Sequence, residues 1–514
     1  EAMVRQAESS FGRADIEHLL AMLAVSGLLR PLGQDIHEMH PALTGFLRAR
    51  PVAGLDDNQC EAWRRAFVDV MTRVANQLAP KEPHEQRVPF SLYGVNFFIA
   101  LADAEALGMD DHFGDLTQVL GFYALNQRDF TGAMRRFEML AGHCKRRGVA
   151  RGEAAAYHML GMIAQERLGL AAAERWYGKS LAIEEKHGNE YGAACTYHQL
   201  GRIAEERRDL MAAEQWYRQS LALWEKHGNE HGVASAYHQL GGIAEEQRDF
   251  ETAEHYYQKV LLVREKLGDE YSSAVTCYQL GVIAEKQRNF VAAERKYRQA
   301  LAIWKKYNDE HNMTLAYNGL GIIALEQQDF AVAEQWCLKA LAILEKHGDE
   351  NSAARIYHQL GIIARKRLYF TAAEQWHHNS LAIKEKYGDS CGAAKTYHEL
   401  GIVAQELRNL VAAEQWYQKS LAIKEKQGDN YGVALAYYQI AKLFFLKNNN
   451  ETSASWLVRA ISSFILHRDS FHTNQSIKAL LFIYRQALSS DQVKLRQMWK
   501  EAKLGPFPED GIPA

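Results

Sequence analysis

From about Asp111 to Asn430 apolar and polar positions recur every 40 residues, and each period contains the helical spacing twice. In one unit Tyr197, Leu200, Gly201 and Ala204 fall at i, i+3, i+4 and i+7 on a stretch from Ala194 to Glu206. Ala213, Tyr217 and Leu221 follow with similar spacing on a second stretch from Met211 to His227. The pattern predicts two amphipathic helices, neither able to bury its apolar stripe alone. Arg208 and Asp209 make the turn between them, and His227-Gly228-Asn229-Glu230 ends the second helix with a glycine in the usual C-terminal position. Side-by-side stacking of such hairpins buries a continuous core, so the expected fold class is an all-α solenoid.

Glycines stand at Gly121, Gly161, Gly201, Gly241, Gly281, Gly321, Gly361 and Gly401, each inside a predicted helix. A mid-helix glycine costs about 1 kcal/mol relative to alanine, so its recurrence in register calls for a close packing partner. The spacing nominates Ala213, with Gly201, as the pair of small residues where the two helices cross. Trp176, Trp216, Trp336, Trp376 and Trp416 on the second helices are expected to wedge between successive repeats. Glu184, Glu185 and Lys186 read as part of a solvated outer face.

Aromatic, leucine, glycine and small residue, then alanine and aromatic, stand at Tyr197, Leu200, Gly201, Ala204, Ala213 and Tyr217, and in this order they resemble the tetratricopeptide repeat. The period of 40 is longer than the family's usual period of about 34, and the proline that normally closes the repeat is missing. In both respects the units are similar to those of spindle-orientation adaptors, kinesin light chains and many bacterial sensor proteins. The resemblance spans roughly residues 111–470, with Tyr431 to Arg468 a decayed ninth unit carrying Ala441 in the glycine position. It implies a right-handed superhelix whose first helices line a concave, ligand-binding groove. The positions so implied are His158, His198, Arg202, Glu205, His238, Tyr278, Asn318, Arg355, His358, Lys395 and His398. A shared metal ion does not suit the histidine column, because equivalent helices lie on the order of 10 Å apart while metal ligands sit at about 2 Å. The same histidines could also be products of duplication that merely pack beside their neighbours.

The N-terminal segment follows another pattern. Residues 12–50 read as a helix from Arg13 to Ser26, a strand from Gly27 to Arg30, a turn over Pro31 to Asp35, a strand from Ile36 to Met39 and a helix opened by Pro41. The stretch GLLRPLGQDIHEMHPALTGFLRAR resembles the end of the winged helix in signal-transduction ATPases of the STAND class, relatives of the NB-ARC switch proteins. There a Met-His pair, here Met39-His40, reaches the phosphates of bound ADP in the resting state. Pro41 replaces the aspartate common in plant members. Glu61 to Leu78, Pro89 to Leu107 and Asp111 to Asn126 read as connector helices. The expected division is 1–50 partial winged helix, 51–110 connectors, 111–470 repeats and 471–514 capping helices and tail.

The chain begins at Glu1 without an initiator methionine, which points to a fragment of a longer protein. The sequence contains no G-x-x-x-x-G-K-[ST] loop, so the ADP or ATP with Mg that the resemblance implies would bind in an upstream part of the parent. Nor is there a G-x-S-x-G elbow or an H-E-x-x-H motif, and the chain reads as non-enzymatic. Sixty basic against 63 acidic residues leave a net charge of −3, which disfavours nucleic acid and anionic membranes as partners. The longest apolar stretch, Val95 to Ala104, is too short to span a bilayer. Six cysteines without a C-x-x-C pair fit reduced thiols in a cytoplasm. Two functions are expected on these grounds. One is the sensor region of an intracellular STAND ATPase, in bacterial antiphage defence or transcription control, in which a protein or peptide ligand relieves an ADP-locked state and the parent oligomerises. The other is a constitutive adaptor that holds extended peptides in its groove.

Overall fold

The computed structural model describes residues 21–22, 29–33, 36–39 and 57–509. Strands Leu29–Gly33 and Ile36–Met39 form an antiparallel hairpin, with Leu29 opposite Met39 and Pro31 opposite His37. The first strand thus runs to Gly33 and does not stop at Arg30; a two-stranded hairpin has only edges, where proline is tolerated. Of the expected helix from Arg13 to Ser26, residues 21 and 22 are described and helical. His40 and Pro41 lie outside the described residues.

The chain divides into two compact units, residues 1–243 and 244–514. In the first, helices Asp57–Leu78, Pro83–Ala106 and Asp110–Asn126 share a core of Val68, Met71, Phe90, Phe97, Leu101, Phe113 and Leu116. The middle helix starts at Pro83, earlier than Pro89, because Glu82 and Glu85 form a reciprocal capping box around Pro83 in the first turn; Pro89 lies inside the helix. Asp110–Asn126 then pairs with Phe130–Arg147 as the first hairpin. Ala150–Glu166 with Leu170–Lys186, and Glu190–Glu206 with Leu210–Lys226, follow.

Helix starts are set by Asp or Asn caps. Asn189 accepts from the Gly192 amide and Asp209 from the Ala212 amide, so the helices begin at Glu190 and Leu210 where periodicity alone had placed them at Ala194 and Met211. Two left-handed residues punctuate each repeat. Between repeats the residue is usually glycine, as at Gly228 with φ 64°, with Asn308 in that place at φ 52°; between the two helices of one repeat it is a residue such as Arg208 with φ 61°.

Gly201 faces the ring of Tyr217, which fills the space that Ala213 had been expected to leave for a backbone crossing. A Cβ on Gly201 would stand 2.6 Å from Tyr217 Cε1, and Gly161 meets Tyr177 at the same 2.6 Å. Ala213 and Tyr217 are both fully buried. The Tyr217 hydroxyl donates to Glu205 Oε2 at 2.9 Å, so one side chain closes the hairpin by shape and by a charge-assisted bond.

The second unit repeats the scheme through Glu270–Lys286 with Phe290–Lys306, Glu310–Glu326 with Phe330–His347, Glu350–Lys366 with Phe370–Lys386, Ser390–Glu406 with Leu410–Gln427 and Asn430–Leu446 with Asn450–Leu466. The glycine partner is Tyr297 at Gly281, Cys337 at Gly321, His377 at Gly361 and Tyr417 at Gly401. Helices Ser470–Gln486 and Ser489–Glu501 close this unit with Leu480, Leu495, Trp499 and Phe507, the Trp499 indole donating to the Gly505 carbonyl at 3.1 Å.

Candidate functional site

The first unit carries His158, His198, Arg202, Glu205 and His238, and the second carries Tyr278, Asn318, Arg355, His358, Lys395 and His398. All lie on first helices of repeats. Arg202, Arg355 and Lys395 are exposed and the other eight are half-buried. His158 Nδ1 lies 3.1 Å from Thr196 Oγ1 and His198 Nε2 lies 3.0 Å from Ser235 Oγ, each hydroxyl being on the next first helix. His358 Nδ1 stands in the same relation to Thr396 at 3.2 Å. The histidine rings also pack against the buried aromatic column, His198 on Tyr217 at 5.3 Å and His398 on Tyr417 at 5.7 Å between centroids.

Burial pushes these histidines far below their ordinary range, to about 4 for His158, His198 and His398 and about 3 for His358. They are therefore neutral at pH 7, and His158, His198 and His358 act as bridging hydrogen-bond partners between repeats, whereas His398 Nδ1 is buried without a partner. Cationic charge at the candidate positions comes from Arg202, Arg355 and Lys395. Glu205 is held by Tyr217, and Tyr278 packs against Tyr297 at 5.4 Å and Trp304 at 5.8 Å.

The tryptophans stack on tyrosines of their own repeats, Trp216 on Tyr197 and Trp416 on Tyr397, both at 5.6 Å, while also packing against neighbouring repeats' cores. Lys179 and Lys419 cover the outer faces of Trp176 and Trp416 at 4.1 and 4.7 Å.

Glu184 is not on a solvated face. It is 4 % exposed, because its place near the end of a second helix is covered by the next hairpin. Burial raises its pKa, opposed by hydrogen bonds from the Thr196 and Ser180 hydroxyls. Forty-residue steps from it give Cys144, Trp224, Arg264, Trp304, Leu344, Lys384, Lys424 and Phe464. The facing first-helix position varies with it. Arg264 Nη1 donates to Thr276 Oγ1 at 2.6 Å and Lys384 Nζ to Thr396 Oγ1 at 2.9 Å, while Trp224 packs on Ala236 and Trp304 on Ala316. Glu184, Arg264 and Lys384 meet threonine and the tryptophans meet alanine, while the matching position for Lys424 is Ala436 and the lysine reaches the Gly432 carbonyl instead. The sequence held this signal, in the alternation of charge and tryptophan at one position of otherwise repeating units.

A cavity of about 650 Å³ opens in the first unit, between residues 110 and 195. Glu184, Cys195, Tyr191 and Phe122 line it, and of the candidate positions it takes in His158. Among the described residues no group of three or more His, Cys, Asp or Glu could hold a metal ion. No described helix is long and apolar enough to cross a membrane.

The tetratricopeptide-repeat family model matches residues 192–266, 232–306, 272–346, 352–426 and 392–464, together more than half of the chain. The chain belongs to the tetratricopeptide-repeat family. No curated protein sequence matches it. Among solved structures, this tetratricopeptide-repeat chain is similar to a signal-transduction ATPase with numerous domains from Pyrococcus horikoshii that carries a tetratricopeptide-repeat sensor. Identity is 16 %, the TM-score is 0.50, and the match covers 80 % of this chain and 59 % of that one. The chain therefore spans less than two thirds of the ATPase. Another similar structure is a Rap protein complexed with competence and sporulation factor, at 14 % identity and TM-score 0.40, covering 67 % of this chain and 99 % of that one. A third is a kinesin light chain with nearly identical repeats from Podosopora anserina, at 16 % identity and TM-score 0.34, covering 38 % and 95 %.

Proposed function

We propose that this chain is the protein- or peptide-sensing region of a STAND-type signalling ATPase whose nucleotide-binding domain lies outside it. The observation that carries the reading is the likeness of fold to the tetratricopeptide sensor protein over four fifths of the chain. Support comes from the order of parts: a β-hairpin at 29–39, a set of helices over 57–126, and then tandem repeats. Ligand binding to the repeats would release an ADP-locked parent, which then oligomerises, in antiphage defence or in transcription control.

The test uses the full-length parent. His40→Ala removes a hydrogen bond to a phosphate made only in the closed state, worth roughly 1.5–3 kcal/mol, and shifts the resting equilibrium by about ten- to a hundredfold. The purified mutant should lose ADP and oligomerise without ligand. Wild-type ADP retention together with wild-type ligand dependence, or a parent without a phosphate-loop domain, would overturn this reading in favour of a constitutive adaptor.

A further inference from the structure

We propose that the cavity closed by Glu184 binds a lysine or arginine side chain of a peptide ligand, with the carboxylate taking the charge and the apolar wall taking the methylenes. The inference rests on the protein-binding reading above and names the chemistry that the first repeats select.

The carboxylate is the starting point. Arg264, Lys384 and Lys424, the other charged members of its column, all reach partners: Arg264 the Ser272 carbonyl at 2.7 Å, Lys384 the Thr396 hydroxyl at 2.9 Å and Lys424 the Gly432 carbonyl at 3.3 Å. Glu184 differs. Its Oε2 is buried without a hydrogen-bond partner, on a side chain that lines the cavity. An ionised carboxylate oxygen can only accept, and a buried charge lacking a counter-ion is costly. An ammonium or guanidinium supplies the missing donor and the missing charge at once.

The walls agree. Phe122, Phe137, Leu140, Val149 and Met159 line the cavity, and Phe122 and Val149 are 40 % and 46 % exposed. Such a surface suits the aliphatic stem of a long cationic side chain and an apolar neighbour on the same peptide. Four carboxylates line the cavity, those of Asp110, Asp111, Asp115 and Glu184, against two guanidiniums, those of Arg147 and Arg151. Arg147 already pairs with Asp110 at 3.3 Å and Asp111 at 3.5 Å. His158 adds no charge, since burial holds its pKa at about 4. It bonds Thr196, whose hydroxyl also holds Glu184, so a candidate histidine positions the carboxylate through one intervening side chain.

The experiment measures fluorescence anisotropy of dye-labelled Leu-Lys-Leu, Leu-norleucine-Leu and Leu-Glu-Leu peptides against the 514-residue chain. The lysine peptide should bind at least tenfold more tightly than the norleucine peptide, and the glutamate peptide should bind weakest. Glu184→Gln should abolish the preference for lysine while raising the melting temperature, because it removes an uncompensated buried charge and keeps the shape. Ala155→Trp, at an exposed position on the cavity wall, should weaken the lysine and norleucine peptides alike. Equal binding of the lysine and norleucine peptides to the wild type would overturn the proposal. So would failure of all three to bind, or a tenfold lysine preference that survives Glu184→Gln. None of these outcomes touches ADP retention by the parent, so the pocket and the sensor reading fail separately.

Discussion

Helices pack more closely within a hairpin than between successive hairpins, and the two contacts are built on different rules. Inside the hairpin an aromatic ring lies on glycine: Tyr177 on Gly161, Tyr217 on Gly201, Tyr297 on Gly281 and Tyr417 on Gly401. Between hairpins the side chain at the matching position is tryptophan, leucine, lysine or glutamate, all buried, or the half-buried Arg264. The first contact is set by backbone approach, which leaves few solutions: tyrosine recurs, and phenylalanine, cysteine and histidine replace it at Gly121, Gly321 and Gly361. The second is set by side chains alone and admits many. Repeats that share one fold can in this way differ in which neighbour they fit. Charged members of the second contact lower stability in return, since a buried charge rarely recovers its desolvation cost.

Removing the largest buried member of the variable contact should have the largest effect. Trp304 is 1 % exposed, and Trp304→Ala should cost about 3–5 kcal/mol, read as loss of hydrogen-exchange protection in Phe290–Lys306 and Glu310–Glu326 first. If the loss is uniform along the chain, nearest-neighbour coupling is wrong. Overpacking the fixed contact comes next. Gly281→Leu puts side-chain atoms where Tyr297 already lies 2.6 Å from an ideal Cβ, and should cost about 1–3 kcal/mol or more in chemical denaturation. Tolerance of leucine there would erase the distinction between the two contacts.

A titration sharpens the same comparison. Burial lowers Lys384 to about 8 from its ordinary value near 10.4. Between those values the unfolded chain binds more protons than the folded one, so the lysine's contribution to stability rises with pH across that window. Lys384→Met should therefore gain on the order of 1–2 kcal/mol at pH 7 and see the gain shrink as pH rises from 8 to 10. Thr396 keeps the Gly392 carbonyl and His358 as partners in the mutant. A gain independent of pH would show that the fold does not lower the lysine's pKa.

The smallest effect is expected at His377, which occupies the tyrosine position with both ring nitrogens buried and without partners. His377→Tyr restores the tyrosine found over Gly161, Gly201, Gly281 and Gly401 and should stabilise by about 1 kcal/mol in the same denaturation assay. A loss would mean that Arg365, which pairs with Glu399 at 3.0 Å, has reshaped that repeat around histidine.

Helix pairing, the glycine register and the interhelix turns were legible because a 40-residue period samples the same geometry many times. What stood over each glycine was not legible: Ala213 and Tyr217 lie one turn apart, so both share its helix face, and only side-chain reach separates them. Glu184 was misread for a similar reason. A charged residue beside Glu185 and Lys186 looks solvated, yet near the second helix's end it turns inward while both neighbours stay exposed. The histidine column was legible as a column, and its bridging to Thr196, Ser235 and Thr396 required the neighbouring helix to be in place.

The most direct test of the trade between stability and recognition is native-state hydrogen exchange of the Glu184→Gln chain without any ligand, compared with wild type over Ala150–Glu206. Slower exchange in helices Leu170–Lys186 and Glu190–Glu206 is the predicted result, because the mutant removes a buried, half-satisfied charge. Faster exchange there would mean that the carboxylate holds the two hairpins together, and would contradict the account.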